Sequence, residues 1–198
     1  RPVFYDPVGS VTRKTKEAMG PVLANKILQI LAKHHGERVL VHSHSYHLTK
    51  MIVDGIVGKT VRPVFSYYNS RDREAAVEGF KETEGSVLVA PSLERGISLD
   101  GDLARVVVLA KVPYLDLGDK QVSARTYGPG GRIWYKMQAI RALIQASGRA
   151  MRGVDDWCRT YVLDSEFGKV FKENRHLFPK WWSEAVRDDG YDPVRWVV

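Results

Sequence analysis

The chain of 198 residues contains one cysteine, Cys158. A lone thiol excludes an internal disulfide and any cage built from several cysteines, and it fits a reducing, intracellular setting. No apolar run approaches the roughly 20 residues that a bilayer-spanning helix needs, so no membrane partner is expected. A basic-then-apolar leader is missing, and nothing argues for secretion. Arg1 stands where an initiator methionine would, so the chain reads as a piece excised from something longer. Catalytic signatures are scarce too. There is no G-x-S-x-G elbow to present a nucleophile. Gly128-Pro129-Gly130-Gly131 lacks the spacing of a dinucleotide fingerprint and reads as a mobile loop. Asp54-Gly55-Ile56-Val57-Gly58-Lys59-Thr60 ends like a phosphate-gripping loop, but Val53 occupies the place of its first glycine. Leu48, Met51, Ile52 and Ile56 have helical spacing ahead of it, so Gly58 is expected to stop a helix rather than open one.

What is present is a basic chain of globular type. Hydrophobic residues make up 44%, and the formal net charge is +7. That charge favours a polyanionic partner, nucleic acid first. Helical and strand patterns alternate. A helix is expected from Pro21 to His35, stopped by Gly36, then a strand at Arg38 to His42. Ser45 to Val57 reads as a helix, Val61 to Phe65 as a strand, and Ser70 as the cap of a helix carrying Ala76, Val77 and Phe80. Ser86 to Ala90 and Arg105 to Ala110 are strands of continuous Val and Leu, the mark of parallel strands buried on both faces. A long connection leads to a helix from about Arg132 to Met151, then a strand at Arg159 to Leu163 and a tail rich in tryptophan. The fold class is therefore α/β, a doubly wound, mainly parallel sheet with helices on both faces. Residues 1–198 are expected to form one domain, its core at about 20–165 and a helical tail at about 166–198.

The stretch richest in chemistry is Gln145-Ala146-Ser147-Gly148-Arg149-Ala150-Met151-Arg152. At 100° per residue, Gln145, Gly148, Arg149 and Arg152 share a stripe, opposite Ile140, Leu143, Ile144 and Met151. Two guanidinium groups on a rigid helix suit phosphate oxygens and could stabilise charge on a transferred phosphoryl group. The plain alternative is a solvated basic face, and spacing leaves both open.

These residues resemble the last motif, Q-x-x-G-R-x-x-R, of superfamily 2 helicases. The chain is similar to the second motor domain of the XPD/DinG family of DNA helicases. The resemblance runs from His42 to Trp182. It includes Ser45-Tyr46, the run before the next strand with Gly96-Ile97, Val112-Pro113-Tyr114, Asp156, Asp164 with Phe167, and Pro179 with Trp181. It implies a RecA-like fold and ATP held with Mg²⁺ mainly by a missing first domain. This chain has neither a phosphate loop nor a DEAH-type acidic box. Arg149 and Arg152 would act as arginine fingers, and Gln145 would couple nucleotide to the interface. Gly148, Gly96, Asp100 and Asp102 would lie at that interface. Ser98 stands where the family usually has an acidic residue, with Asp100 or Asp102 as substitutes. The family's iron–sulfur cluster belongs to the other half, outside anything this chain determines.

The implied partners are that first motor domain and single-stranded DNA, with a location in the cytoplasm or, in a prokaryote, at the nucleoid. Ser45, Tyr46, Arg71, Arg95 and Tyr114 fall in strand-end loops and are the candidate DNA contacts. For each the alternative is packing, capping or a solvated helix start. Two other readings of the whole chain stand beside the motor: a nucleic-acid-binding module without ATPase activity, and an RNA helicase of a neighbouring family. His42, His44 and His47 form a cluster without a nearby acidic or cysteine partner, which favours ordinary loop and cap histidines over zinc.

Overall fold

The computed structural model describes residues 2–91, 99, 101–147 and 156–187. Seven strands form one parallel sheet: β1 (Val3–Gly9), β2 (Val39–His42), β3 (Val64–Ser66), β4 (Val87–Ala90), β5 (Val106–Leu109), β6 (Arg159–Asp164) and β7 (Val186–Arg187), in the order β3-β4-β2-β5-β6-β1-β7. The helices are α1 (Lys16–Lys33), α2 (Tyr46–Ile56), α3 (Arg73–Glu82), α4 (Lys120–Tyr127), α5 (Gly131–Ser147), α6 (Glu166–Glu173) and α7 (Lys180–Ser183).

Strand side chains alternate between the faces, so the Val/Leu runs feed two cores. Val39, Val41, Val87, Val89, Val106 and Val108 pack with Leu23, Ile27, Leu48 and Ile52 of α1 and α2. Leu40, Leu88, Val107 and Val162 pack on the other face with Phe80, Ile140, Leu143, Phe167 and Trp182. Gly58 has φ +77 just after α2, the left-handed stop expected of it.

Several expectations are corrected. The chain ahead of residue 20, left outside the expected core, supplies β1, which lies between β6 and β7. Helix α1 starts at Lys16 with Pro21 inside it. Its entry is held by Thr12 and Thr15, which bond each other's backbone amides. Asp72, not Ser70, precedes α3, and Asn69 Oδ1 accepts from the amides of Arg71 and Asp72. Strand β3 covers Val64–Ser66 rather than Val61 to Phe65, and Arg62 lies ahead of its entry. That guanidinium donates to the carbonyls of Leu31, His34, Glu37 and Gly85, joining the end of α1 to the turns that enter β2 and β4. The connection after β5 contains α4, whose N-cap Asp119 accepts from the amides of Gln121 and Val122. The Gly128–Gly131 run is a close-packed corner, not a mobile loop. Gly130 has φ +70, and a Cβ on Gly131 would collide with the carbonyl oxygens of Arg125 and Thr126.

At the carboxyl end of the sheet, the buried Asp164 gathers three backbone amides. Its Oδ1 accepts from Val11 (3.1 Å) and Glu166 (3.1 Å), and Oδ2 from Val112 (2.9 Å). Asp164→Ala leaves the two buried amides, Val11 and Val112, without their acceptor. At about 1–3 kcal/mol each, a loss of about 2–6 kcal/mol is expected by urea denaturation. Burial pushes the Asp164 pKa above the ordinary carboxylate value, although the amides oppose that shift. The folded chain thus binds this proton more tightly than the unfolded one. The group's contribution to stability is complete below the ordinary carboxylate range and is lost as pH rises through the raised pKa. Asp164→Asn should remove that slope from the stability–pH curve; an unchanged curve would assign it to other groups.

Candidate functional site

The expected site residues that lie in the described regions divide between two opposite edges of the sheet. Helices pack antiparallel to the strands they follow, so one edge collects strand carboxyl ends and helix N-termini. The other collects helix C-termini and strand starts.

At the carboxyl edge stand Ser45, Tyr46, Arg71 and Tyr114. Ser45 is the N-cap of α2, and its hydroxyl accepts from the Leu48 amide at 3.1 Å. Tyr46, 47% exposed, sets its ring edge-on to the buried Tyr67, with centroids 6.4 Å apart. Arg71 is exposed in the turn between β3 and α3. Tyr114 follows β5 and stacks on Tyr135 of α5, centroids 5.2 Å apart and 14° from parallel. Burial, with Glu166 and neighbouring groups adding to it, pushes the Tyr114 hydroxyl up to about 12. It is therefore a neutral hydrogen-bonding group on a stacked ring. The histidines do not converge. His42 ends β2 in full burial and stacks on His44 at 6.3 Å, while His47 pairs with Glu17 at 2.7 Å. His44 adopts φ 61, and its Nε2 is enclosed although the residue keeps some exposure. Burial, then His42 and Lys111, push its pKa down to about 3, so it is neutral at ordinary pH.

At the amino edge stand Gln145 and Asp102. Gln145 is exposed in the last turn of α5, while Ile140 and Leu143 face the sheet, as their spacing predicts. Asp102 lies in the 3-10 turn Gly101–Ala104 that leads into β5. Its Oδ1 accepts from Arg105 Nε (2.9 Å) and pairs with the same guanidinium at 2.8 Å. Arg105 also bonds Asp156 and the Trp157 carbonyl. The Trp157 ring lies near two guanidinium groups, Arg105 at 4.8 Å and Arg159 at 4.6 Å. Asp102 is thus the outer partner of a structural ion pair, and the residues sequence reasoning missed here are Arg105 and Trp157. The Arg-Val-Val-Val pattern gave Arg105 only as a strand start; its partners come from far along the chain.

Arg149, Arg152, Gly148, Gly96, Asp100 and Arg95 lie outside the described residues. The chain leaves the described region at Ser147 and re-enters at Asp156, and both anchors are firm. Ser147 is buried: its hydroxyl accepts from Trp182 Nε1 at 2.8 Å, and its carbonyl accepts from Cys158 Sγ at 3.5 Å. Trp182 stacks on Phe178 and meets Phe167 and Phe171 edge-on. The neighbouring Trp181, singled out by the sequence, is 48% exposed; Trp182 carries the docking. A groove between α1 and α2, lined by Pro21, Ala24, Met51, Gly55 and Lys59, holds none of the expected site residues.

A family described as the helicase C-terminal domain matches residues 27–185. Among curated relatives, the regulator of telomere elongation helicase 1 homolog of Caenorhabditis elegans is 26% identical over 126 residues, covering 55% of this chain and 12% of that protein. The ATP-dependent DNA helicase CHL1 of Saccharomyces cerevisiae (strain YJM789) is 27% identical over 151 residues, covering 65% of this chain and 17% of that protein. The chain thus spans a small part of the relatives it matches. The solved structure of S. tokodaii Xpd4 aligns with a TM-score of 0.65 at 16% identity, over 95% of this chain and 38% of that one. That likeness bears on the fold, a RecA-like doubly wound sheet.

Trp182→Phe keeps an aromatic ring but removes the indole donor to Ser147. A loss of about 1–3 kcal/mol is expected. A double-mutant cycle with Ser147→Ala isolates the bond, and a coupling near zero would mean that the bond contributes nothing.

Proposed function

The chain belongs to the helicase C-terminal domain family, and on that footing we propose that it is the second motor domain of an ATP-dependent DNA helicase of the XPD/DinG type. ATP is its substrate, shared with a first domain that supplies the phosphate loop and the Mg²⁺-binding carboxylates. Arg149 and Arg152 reach across to the β- and γ-phosphates and offset the negative charge that spreads over the transferred group. Gln145, Gly148, Gly96, Asp100 and Asp102 line the facing interface. Ser45, Tyr46, Arg71, Arg95 and Tyr114 grip single-stranded DNA at the carboxyl edge. Closing the cleft on ATP and reopening it after hydrolysis would step the domain along the strand. Alone, the chain lacks the phosphate-binding half and hydrolyses nothing.

The observation that carries this reading is the family match across residues 27–185, with Q-x-x-G-R-x-x-R inside it. The described geometry supports it in one respect. The two anchors of the arginine-bearing stretch are held: Ser147 is buried and bonded to Trp182, and Asp156 is ion-paired with Arg105. Fingers act by preorganisation, and rigid anchors are what preorganisation needs. Ser45 is the weakest of the DNA candidates, since its hydroxyl is already engaged as a cap.

The test is ATP turnover by the two-domain parent protein, with and without single-stranded DNA. Arg149→Ala and Arg152→Ala should each lower DNA-stimulated turnover by on the order of 10³ or more, with ATP binding largely kept. Full turnover in both variants would remove the finger assignment. A parent that binds DNA but never hydrolyses ATP would replace the motor with a binding module.

A further inference from the structure

From Lys120 to Ser147 there is no aspartate or glutamate, although the whole chain has 23; the same stretch holds five lysines and arginines. It forms the α4–α5 hairpin. Gly131 closes its corner tightly: the start of α5 lies backbone to backbone against the carbonyls of Arg125 and Thr126 at the end of α4, which fixes the two helix surfaces relative to each other. The corner hangs on the carboxyl edge, because Tyr135 of α5 stacks on Tyr114 and donates to the Leu115 carbonyl at 2.8 Å.

The corner presents large apolar groups to solvent among those cations. Tyr127 is 69% exposed and Ile133 64% exposed. Arg125 lies 4.3 Å over the Trp134 ring, which orders its guanidinium without neutralising it. Lys120, Arg125 and Arg132 are exposed, and among the described residues none of them meets an acidic side chain in an ion pair. Of the acidic groups that flank the hairpin, none meets Lys120, Arg125 or Arg132 in an ion pair among the described residues. Asp119 caps α4, Asp116 accepts from the Gly118 amide, and Glu173 pairs with Lys136 at 3.3 Å.

We propose that the α4–α5 corner is a landing surface for single-stranded DNA, with Arg125 and Arg132 on phosphates and Tyr127 stacked on a base. The charge is of one sign along the whole stretch, which suits a ligand charged along its own length. An exposed ring beside guanidinium groups suits flat bases, and only an unpaired strand offers their faces. An acidic protein would satisfy the cations but leaves the solvent-facing tyrosine without a role. The surface would extend the strand's path past Tyr114. It takes the identity of the polymer from the motor reading, while the surface itself stands apart from it.

The experiment is fluorescence anisotropy of a labelled oligo-dT of about 20 nucleotides, long enough to cover more than one site. It compares the wild-type protein with an Arg125→Glu/Arg132→Glu pair, with Tyr127→Ala, and with Tyr46→Ala/Arg71→Ala as a separate arm. The charge reversal should weaken binding at least about 10-fold and flatten the salt dependence by roughly 1.4 in log–log slope, two phosphates' worth. Tyr127→Ala, on a solvent-facing ring, should weaken it about 5- to 100-fold. If both corner variants bind within two-fold of wild type while Tyr46→Ala/Arg71→Ala weakens, the corner proposal fails and the DNA grip at the strand ends stands. If the corner variants weaken and Tyr46→Ala/Arg71→Ala does not, the corner stands and those strand-end contacts fall. Loss of duplex or oligo-U binding with oligo-dT binding intact would overturn the proposal, and so would a wild-type protein that ignores oligo-dT.

Discussion

One buried carboxylate ties together the chain exits from three neighbouring strands. Asp164 ends β6, and its amide donors follow β1 (Val11), follow β5 (Val112) and open α6 (Glu166). Without that anchor, the Val112-Pro113-Tyr114 turn has no fixed origin, and Tyr114, Tyr135 and the hairpin beyond them lose their reference. The opposite edge has a cationic counterpart in Arg62, whose guanidinium gathers carbonyls from the end of α1 and from the turns entering β2 and β4. The signs follow from the architecture. Helices packed on a parallel sheet direct free N–H groups to the carboxyl edge and free carbonyls to the amino edge. An anion therefore serves as anchor on one side and a cation on the other.

This polarity also separates the two sets of candidate residues. The carboxyl edge carries aromatics and cations, namely the exposed Tyr46 and Arg71, the half-buried Tyr114 and the α4–α5 corner. The amino edge carries a network of ion pairs and stacked guanidinium groups around Arg105, Asp156 and Trp157, next to the end of α5. A surface with side chains left open to solvent is suited to a polymer that moves. A surface whose side chains are already paired is suited to holding a short stretch of chain in one place.

The sequence made the centre of the sheet plain and its margins obscure. Strands β2, β4 and β5 read as strands because both their faces are buried, which demands unbroken Val and Leu. Strand β1 was invisible because Asp6-Pro7 interrupts it like a turn; its pairing with β6 is irregular between Tyr5 and Gly9, and Lys26 meets Asp6 at 2.6 Å. Strand β7 has two residues, too few for any period. Helix α4 lacks an apolar stripe, with Thr126 its buried residue, so no helical period marked it. At the candidate site, Gln145 was legible because helical spacing alone puts it opposite Ile140 and Leu143. Arg62 and Arg105 were not, because each acts through partners brought near only by folding.

Helix α5 links the two sets of candidate residues, from Tyr135 to Gln145. Tyr135 near its start stacks on Tyr114, and Ser147 at its described end is held by Trp182. Its buried face, Ala139, Ile140, Leu143 and Ala146, is pressed into the core. From Tyr135 to Gln145 the rise is roughly 15 Å at 1.5 Å per residue. A helix that is pinned at each end and packed along its length has little freedom to bend, because its core contacts are close-packed and tolerate sub-ångström change poorly. Displacement of Tyr135 along the axis would therefore be felt at Ser147. The stacked tyrosines at one end and the Trp182–Ser147 bond at the other are among the contacts that pin it. Both are made by side chains whose partners lie outside the helix, on the loop after β5 at one end and on the tail after β6 at the other.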